Sequence, residues 1–224
     1  MNGAELTGRA RTHVADVAEI GRALHLDAIA PFLNLRRAAA AGGIDLVPLS
    51  SFRDFDHQLA IWNGKFSGER PLYDAKGGRI EAGALPPAAR VEAILRWSAL
   101  PGASRHHWGT DVDLIDRNAV GSHYRVQLTA AEYEDGGPFA RLAAWLEENA
   151  GRFGFSRPYR GILSGVQAEP WHYSFAPVAE PARRRLSPAL LGAAIAGAPM
   201  LGKDQVLATL DALHARFVAR VDLA

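Results

Sequence analysis

The sequence predicts an α+β fold, in which a small antiparallel sheet carries the functional residues and helices pack mainly against one face. Two stretches alternate with the two-residue period of strands: Asp111-Val112-Asp113-Leu114-Ile115 and Trp171-His172-Tyr173-Ser174-Phe175. A third, residues 44–49, follows a Gly42-Gly43 pair and reads as a buried strand. Between these lie segments whose apolar residues recur at helical spacing. At 224 residues, 48% of them hydrophobic, the chain suffices for one main domain with a sizeable core and an appendage.

Taken in order, residues 14–26 carry a broken helical pattern with Val17, Ile20 and Leu24 on one face. Asp27 is placed to cap a helix through Ile29, Phe32, Leu33 and Leu35, closed by Gly42-Gly43. Pro31 then falls in the first turn, where its missing N–H is tolerated. The 44–49 strand delivers Ser51 and Arg53 at its end, where binding groups tend to lie. A short helix is expected over 56–62. Residues 63–84 are charged and hold five glycines, predicting a long loop that rims a groove or is a plain insertion. Pro86-Pro87 opens a helix to residue 100, with Val91, Ile94, Leu95 and Trp97 apolar, and Pro101-Gly102 stops it.

Residues 118–137 read as polar loop, and 138–149 as a helix turning Phe139, Leu142, Trp145 and Leu146 inward. Ser187-Pro188 marks an N-cap followed by proline at the first helical position. Residues 204–221 read as one helix whose stripe of Val206, Leu207, Leu210, Leu213, Phe217 and Val221 packs on the main domain, with a dimer contact or a lid as alternatives.

The chemistry is concentrated in two segments. Ser104-Arg105-His106-His107-Trp108-Gly109-Thr110-Asp111-Val112-Asp113 is answered by Glu169-Pro170-Trp171-His172. His106, Asp113 and His172 can supply two imidazoles and a carboxylate, close to the three protein ligands that a catalytic zinc takes. Glu169 is left as a base that need not touch the metal. His106 and Asp113 are too far apart for one helical turn, so the backbone must bend between them, and Gly109 permits that. If the two alternating strands lie side by side, His172 comes within reach of both. Pro170 suits the start of a strand and leaves Glu169 in the preceding loop. Each residue alone has an ordinary reading as a buried histidine or a turn aspartate, and only the combination points to a metal.

Ser-x-His-x-x-Gly-x-x-x-Asp followed by Glu-Pro-Trp-His resembles the two motifs of the VanY-type zinc D-alanyl-D-alanine carboxypeptidases, relatives of the VanX-type D,D-dipeptidases. Upstream, Ser50-Ser51-Phe52-Arg53-Asp54-Phe55-Asp56-His57-Gln58 is similar to that family's Ser-Gly-Tyr-Arg-Ser stretch with its following Gln. The resemblance runs over residues 28–177 in the family's order. It implies one Zn2+ held by His106, Asp113 and His172, with Glu169 as catalytic base and Arg53 beside the scissile carbonyl or its oxyanion. It also implies Ser104, Ser51 and Gln58 as substrate contacts, and a peptidoglycan stem peptide or its fragments as partner. The division that follows is an N-terminal helical extension (1–26), a zinc peptidase domain (27–180) and a C-terminal helical appendage packed on it (181–224). Two positions depart from the family pattern. Ser51 stands where glycine is common. Asp111 stands where a small residue is usual, and it is either a partner of the ligands or a rival carboxylate.

The implied activity is hydrolysis of the peptide bond to a terminal D-amino acid by Glu-assisted attack of zinc-bound water. The alternatives are an L-alanyl-D-glutamate endopeptidase of the same fold, or a non-catalytic module that binds cell-wall peptides. Retention of Glu169 speaks against the latter, because a structural zinc site has no need of a free base. Other chemistries lack their motifs: there is no His-Glu-x-x-His, no Ser-x-x-Lys and no Gly-x-Ser-x-Gly. A P-loop-like run at Gly197 to Lys203 fails at Asp204, where a hydroxyl is needed, and no strand precedes it. His57, His107 and His123 have no partner pattern and are expected to be non-ligands. A formal charge of +1 provides no basic face for nucleic acid. The lack of cysteine excludes disulfides and thiolate metal sites. No run has signal-peptide or membrane-span character, so the chain as written is expected in the cytoplasm, or in the periplasm or outside the cell if a leader has been removed.

Overall fold

The computed structural model describes residues 1–222. Helix α1 (Gly3–Leu6) is closed by a capping box in which the Asn2 side chain accepts from Glu5 N and Glu5 reaches back to the Asn2 N–H. Strands β1 (Val14–Val17) and β2 (Arg22–His25) form an antiparallel hairpin, Val14 facing His25 and Val17 facing Arg22. This corrects the helical extension expected over 1–26, of which only α1 is helical. Positions 17, 20 and 24 fit a helical face in so short a window, but Gly21 turns at φ +62° and lets Val17 and Leu24 both enter the core.

Helix α2 (Leu26–Ala41) starts two residues earlier than expected. His25 is its N-cap, its Nδ1 accepting from Asp27 N, and Asp27 lies in the first turn. Pro31 is therefore inside the helix, and the Asp27 carbonyl lacks its helical donor. Strand β3 (Leu46–Ser50) leads through Arg53 to α3 (Phe55–Ser67), whose N-cap Asp54 accepts from His57 N and whose C-cap Gly68 adopts φ +89°. Helix α3 thus takes up the start of the expected 63–84 loop. The remainder folds as the hairpin of β4 (Leu72–Tyr73) and β5 (Arg79–Ile80) and a 3-10 turn at Ala82–Ala84. Helix α4 (Pro87–Leu95) ends five residues short of the expected stop.

Strand β6 (Asp111–Asp116) is the spine of the sheet. It is followed by α5 (Ala130–Tyr133), α6 (Ala140–Asn149), β7 (Phe155–Ser156) and β8 (His172–Phe175). The sheet order is β3-β6-β8-β7, antiparallel throughout, with Asp111 facing Ser174 and Asp113 facing His172. One face, through Val112, Leu114, Tyr173 and Phe175, packs on Phe32 and Leu35 of α2 and on Leu142 and Leu146 of α6. Each such fully buried large side chain stabilises the fold by roughly 1.5–3 kcal/mol. The opposite face presents Asp111, Asp113, His172 and Ser174.

The chain then continues through α7 (Ala176–Arg185), α8 (Pro188–Ala196), α9 (Lys203–Ala208), α10 (Leu210–Leu213) and a π turn at His214–Val218. Ser187 caps α8 as expected, accepting from Leu190 N. The single helix expected over 204–221 is instead three shorter pieces, but Val206, Leu210, Leu213 and Phe217 are still buried. They join a second core with Phe55, Trp62, Ile94 and Trp108. No described helix is long and apolar enough to cross a membrane.

Gly109 joins the two halves of the site. It adopts φ +66°, and a Cβ there would lie 2.5 Å from Val14 Cγ1 and 2.8 Å from His25 N. Gly109→Ala should destabilise the protein by about 3 kcal/mol, lowering Tm by roughly 6–12 °C in a thermal melt followed by circular dichroism. A variant as stable as the parent would contradict the close seating of the β1–β2 hairpin on this turn.

Candidate metal centre

His106 lies in a 3-10 turn, Arg105–Trp108, that precedes the Gly109 bend. Asp113 and His172 face each other across the β6–β8 ladder. One donor atom from each of His106, Asp113 and His172 falls within 4.8 Å of the others, and all three residues are buried. His106 Nε2 is 3.5 Å from Asp113 Oδ2, and His172 Nδ1 is 3.6 Å from Asp113 Oδ1. Glu169, in the loop before β8, brings Oε2 to 2.9 Å from the same His172 nitrogen.

The remaining ring nitrogens are committed. His106 Nδ1–H donates to the Ser51 carbonyl at 2.8 Å, leaving the Nε2 lone pair toward the centre. His172 Nε2–H donates to Asp111 Oδ1 at 2.9 Å, which turns Nδ1 inward. Asp111 is therefore a partner of a candidate ligand and does not point into the centre itself. Its Oδ1 also accepts from Arg105 Nε at 2.8 Å, and its Oδ2 accepts from Thr110 and Ser174 at 2.6 and 3.0 Å. Burial alone would raise this carboxyl, but Arg105 and then His172 and Thr110 hold it well below the usual range.

The electrostatics fit a cation. Burial pushes Asp113 up to about 6, and its Oδ1 has no hydrogen-bond partner among the described residues. Burial would lower His172, yet its bonds to Asp111 and Glu169 push it up to about 10, so an imidazolium supplies the positive charge these carboxylates call for. Burial, Arg53 and His172 hold His106 far below its ordinary value and hence neutral, as a metal ligand must be. Two tethered imidazoles and an orphaned carboxylate oxygen are a donor set suited to zinc.

The other expected contacts divide. Arg53 and Ser104 line the same cavity, of about 310 Å³, as the three candidate ligands and Glu169. Gln58 does not reach it. Fully buried, it accepts from Arg53 Nη1 at 2.7 Å and donates to Ser98 Oγ and the Ala99 carbonyl. Ser51 is likewise buried with its side chain away from this cavity, and its carbonyl is what holds His106. Both positions thus depart from the expected substrate contact, because α3 and the β3 end turn them toward the scaffold.

Sequence reading missed supports at His107, Arg105 and Asp222, whereas Tyr159, open to a place in the pocket wall on the sequence, does line the cavity. His107 donates from Nδ1 to the Arg53 carbonyl at 2.6 Å and accepts Gly102 N–H at Nε2, at 3.1 Å, so it locks the Arg53 loop. The edge of Tyr159 meets the His172 ring, and its carbonyl accepts from Glu169 N at 3.1 Å. Asp222 accepts the backbone N–H groups of Arg160, Ile162 and Leu163, fixing the loop that leads to Glu169. For Arg105 a signal was present, since an arginine inside a motif that becomes a buried strand entrance needs a carboxylate partner. For Asp222 there was none.

Known proteins resemble this chain in sequence and in fold. An uncharacterized protein of Haemophilus influenzae is 38% identical over 121 residues, covering 53% of this chain and 92% of its own length. A D-alanyl-D-alanine carboxypeptidase of Enterococcus faecalis is 34% identical over 151 residues, 66% of this chain but 46% of that protein. Among solved structures, a VanY D,D-pentapeptidase mutant from a VanB-type resistance cassette, in complex with Zn(II), aligns with a TM-score of 0.53 at 26% identity over 78% of this chain and 83% of that one. VanYB in complex with D-alanine-D-alanine shares the fold, with a TM-score of 0.53 at 24% identity over 80% and 86% of the two chains. Residues 21–178, which contain every side chain of the centre, match the VanY family of D-alanyl-D-alanine carboxypeptidases, and the chain belongs to that family.

Proposed function

We propose that this chain is a zinc-dependent peptidase that removes a terminal D-amino acid from peptidoglycan stem peptides, as a D-alanyl-D-alanine carboxypeptidase does. The observation that supports it most is the convergence of His106, Asp113 and His172 beside an unligated Glu169, with Arg53 facing the same cavity. His106 Nε2, the Asp113 carboxylate and His172 Nδ1 would hold one Zn2+. When bound, zinc supplies Lewis acidity and brings the pKa of water to about 7.

Glu169 is then the proton carrier. With His172 Nδ1 committed to the metal, its carboxylate is free to accept a proton from the attacking water and return it to the leaving amine. Arg53 keeps two of its N–H groups on Gln58 and Ser50 and directs the rest at the peptide oxygen, where negative charge develops. Gln58 acts by positioning Arg53, and Ser104 contacts the substrate from the cavity wall. The Asp111 bond to His172 fixes the tautomer and orientation of that ring. A cavity of about 310 Å³ suits the end of a peptide better than a long polymer.

The zinc-loaded protein should release free D-alanine from a stem peptide ending in D-Ala-D-Ala, and a chelator should stop it. Cleavage only within the stem, with no free D-alanine, would overturn the carboxypeptidase assignment. Glu169→Gln should keep the metal and lower turnover by at least ~100-fold, read as kcat beside zinc content by elemental analysis. Unchanged kcat would remove Glu169 from proton transfer. Asp111→Asn should weaken zinc binding about 10–100-fold in competition with a chromogenic chelator, since it loses the charge that holds the His172 Nε2–H. Metal binding should also release protons. At pH 7.5 the metal-free His172, with its pKa near 10, is charged and must become neutral, whereas Asp113, near 6, is already mostly ionised. About one proton per zinc should therefore appear in calorimetry across buffers of different ionisation enthalpy, and no release would contradict the charged imidazole.

A further inference from the structure

The cavity holds a cation that the proposed chemistry leaves unused. Lys65 lies on the face of α3 that also carries Gln58 and Ile61, at i, i+3 and i+7, and it lines the cavity with Arg53, Ile61, Tyr73 and Trp97. Its ammonium has no hydrogen bond or ion pair among the described residues, although the residue is half-buried. The other two lysines differ: Lys203 donates to the Ala196 and Ala198 carbonyls, and Lys76 is exposed on the β4–β5 turn.

A half-buried ammonium near Arg53 and Arg70 is costly unless an anion comes to it. Burial foremost, then those arginines, pushes its pKa down to about 8 against the pull of Glu169. Arg53 cannot be spared for a second task, because Gln58 and Ser50 fix it and Asp113 and Glu169 face it. We propose that Lys65 receives the free α-carboxylate of the residue to be released, and so selects a chain end over a peptide interior. The inference rests on the carboxypeptidase reading and adds to it the group that makes the cut terminal. It gives the cavity two cations with separate tasks, Arg53 for the reacting carbonyl and Lys65 for the carboxylate beyond it.

The test compares zinc-loaded wild type, Lys65→Met and Lys65→Arg on two stem peptides ending in D-Ala-D-Ala, one with a free carboxylate and one as the carboxamide. Wild type should prefer the acid by at least ~10-fold in kcat/KM, the usual worth of a charge-assisted bond, carried mainly by KM. Lys65→Met should bring the acid-to-amide ratio to within about 2-fold, and Lys65→Arg should retain part of it. A ratio that survives Lys65→Met, or falls equally in both variants, overturns the assignment. A binding arm separates this from the carboxypeptidase reading. Zinc-loaded Glu169→Gln protein, with or without Lys65→Met, is titrated calorimetrically with D-alanyl-D-alanine and its amide. A preference for the acid that disappears with Lys65→Met supports the role of Lys65 even where no D-alanine is released. Equal affinity for acid and amide, or no binding of either, overturns it.

Discussion

One buried charge sets the geometry of the site. Asp111 is fully enclosed, and an ionised carboxylate in that position persists only if its oxygens are saturated with donors. Arg105, His172, Thr110 and Ser174 supply them, from the 3-10 turn, from β8 and from the residue just before β6. The consequence for His172 is decisive. With Nε2 tied to Asp111, only Nδ1 can face Asp113 and Glu169. Arg105 in turn is enclosed and needs Asp111, and its Nη1 comes to 3.9 Å from Glu180 of α7. The charges that aim the ligand therefore also bind α7 to the turn that carries His106.

The sheet lets such a network exist beside a dry core. Because β6 and β8 alternate, every second residue enters the core with α2 and α6, and the intervening ones stand on the site face in ladder pairs. A slip of one residue would send Asp111 and Asp113 into the apolar core and Val112 to the site, so burial of the core face fixes the register of the candidate metal centre. Two further ties hold the loops that the ladder cannot reach. His107 stitches the Arg53 loop to the His106 turn, and its burial pushes it down to about 4, keeping it neutral and its single Nδ1–H donor defined. Asp222 performs a similar task on the far side, on the 160–163 backbone ahead of Glu169.

Much of this was legible in the residues. The alternation of 111–115 and 171–175 gave both site strands, and Gly109 marked the bend between ligand and strand. Ser187-Pro188 and Gly42-Gly43 marked helix ends by local chemistry that tertiary context does not alter. The failures are of a different kind. Residues 14–25 fit a helix as well as two four-residue strands, and the packing of Val17 and Leu24 against α2 selects the hairpin, which no local pattern records. Gln58 was read as a substrate contact because its place in the motif is near the site. Only the direction of α3 shows that its amide reaches Arg53 and Ala99 instead. Lys65 carried no motif at all, and the role proposed for it arises from the lack of a counter-ion among the described residues.

The placement of charge explains why these residues are distributed over so many elements. Of the charges that line the cavity, the carboxylates Asp113 and Glu169 lie on the β6–β8 side and the cations Arg53 and Lys65 on the α3 side. Were Arg53 or Lys65 adjacent to these carboxylates, they would pair with them; held apart across the cavity, they leave a field between them. On the proposed reading, a peptide end would enter that field in one direction, its carbonyl oxygen and terminal carboxylate toward the arginine and lysine and its attacked carbon toward His106, Asp113 and His172. Fixed dipoles and charges of this kind need no reorganisation when charge develops during reaction, which is what water around the same peptide would have to undergo. In the proposed chemistry the bonds of Arg53 to Gln58 and Ser50 matter for the same reason, because a guanidinium free to swing would close onto Glu169 and cancel the field.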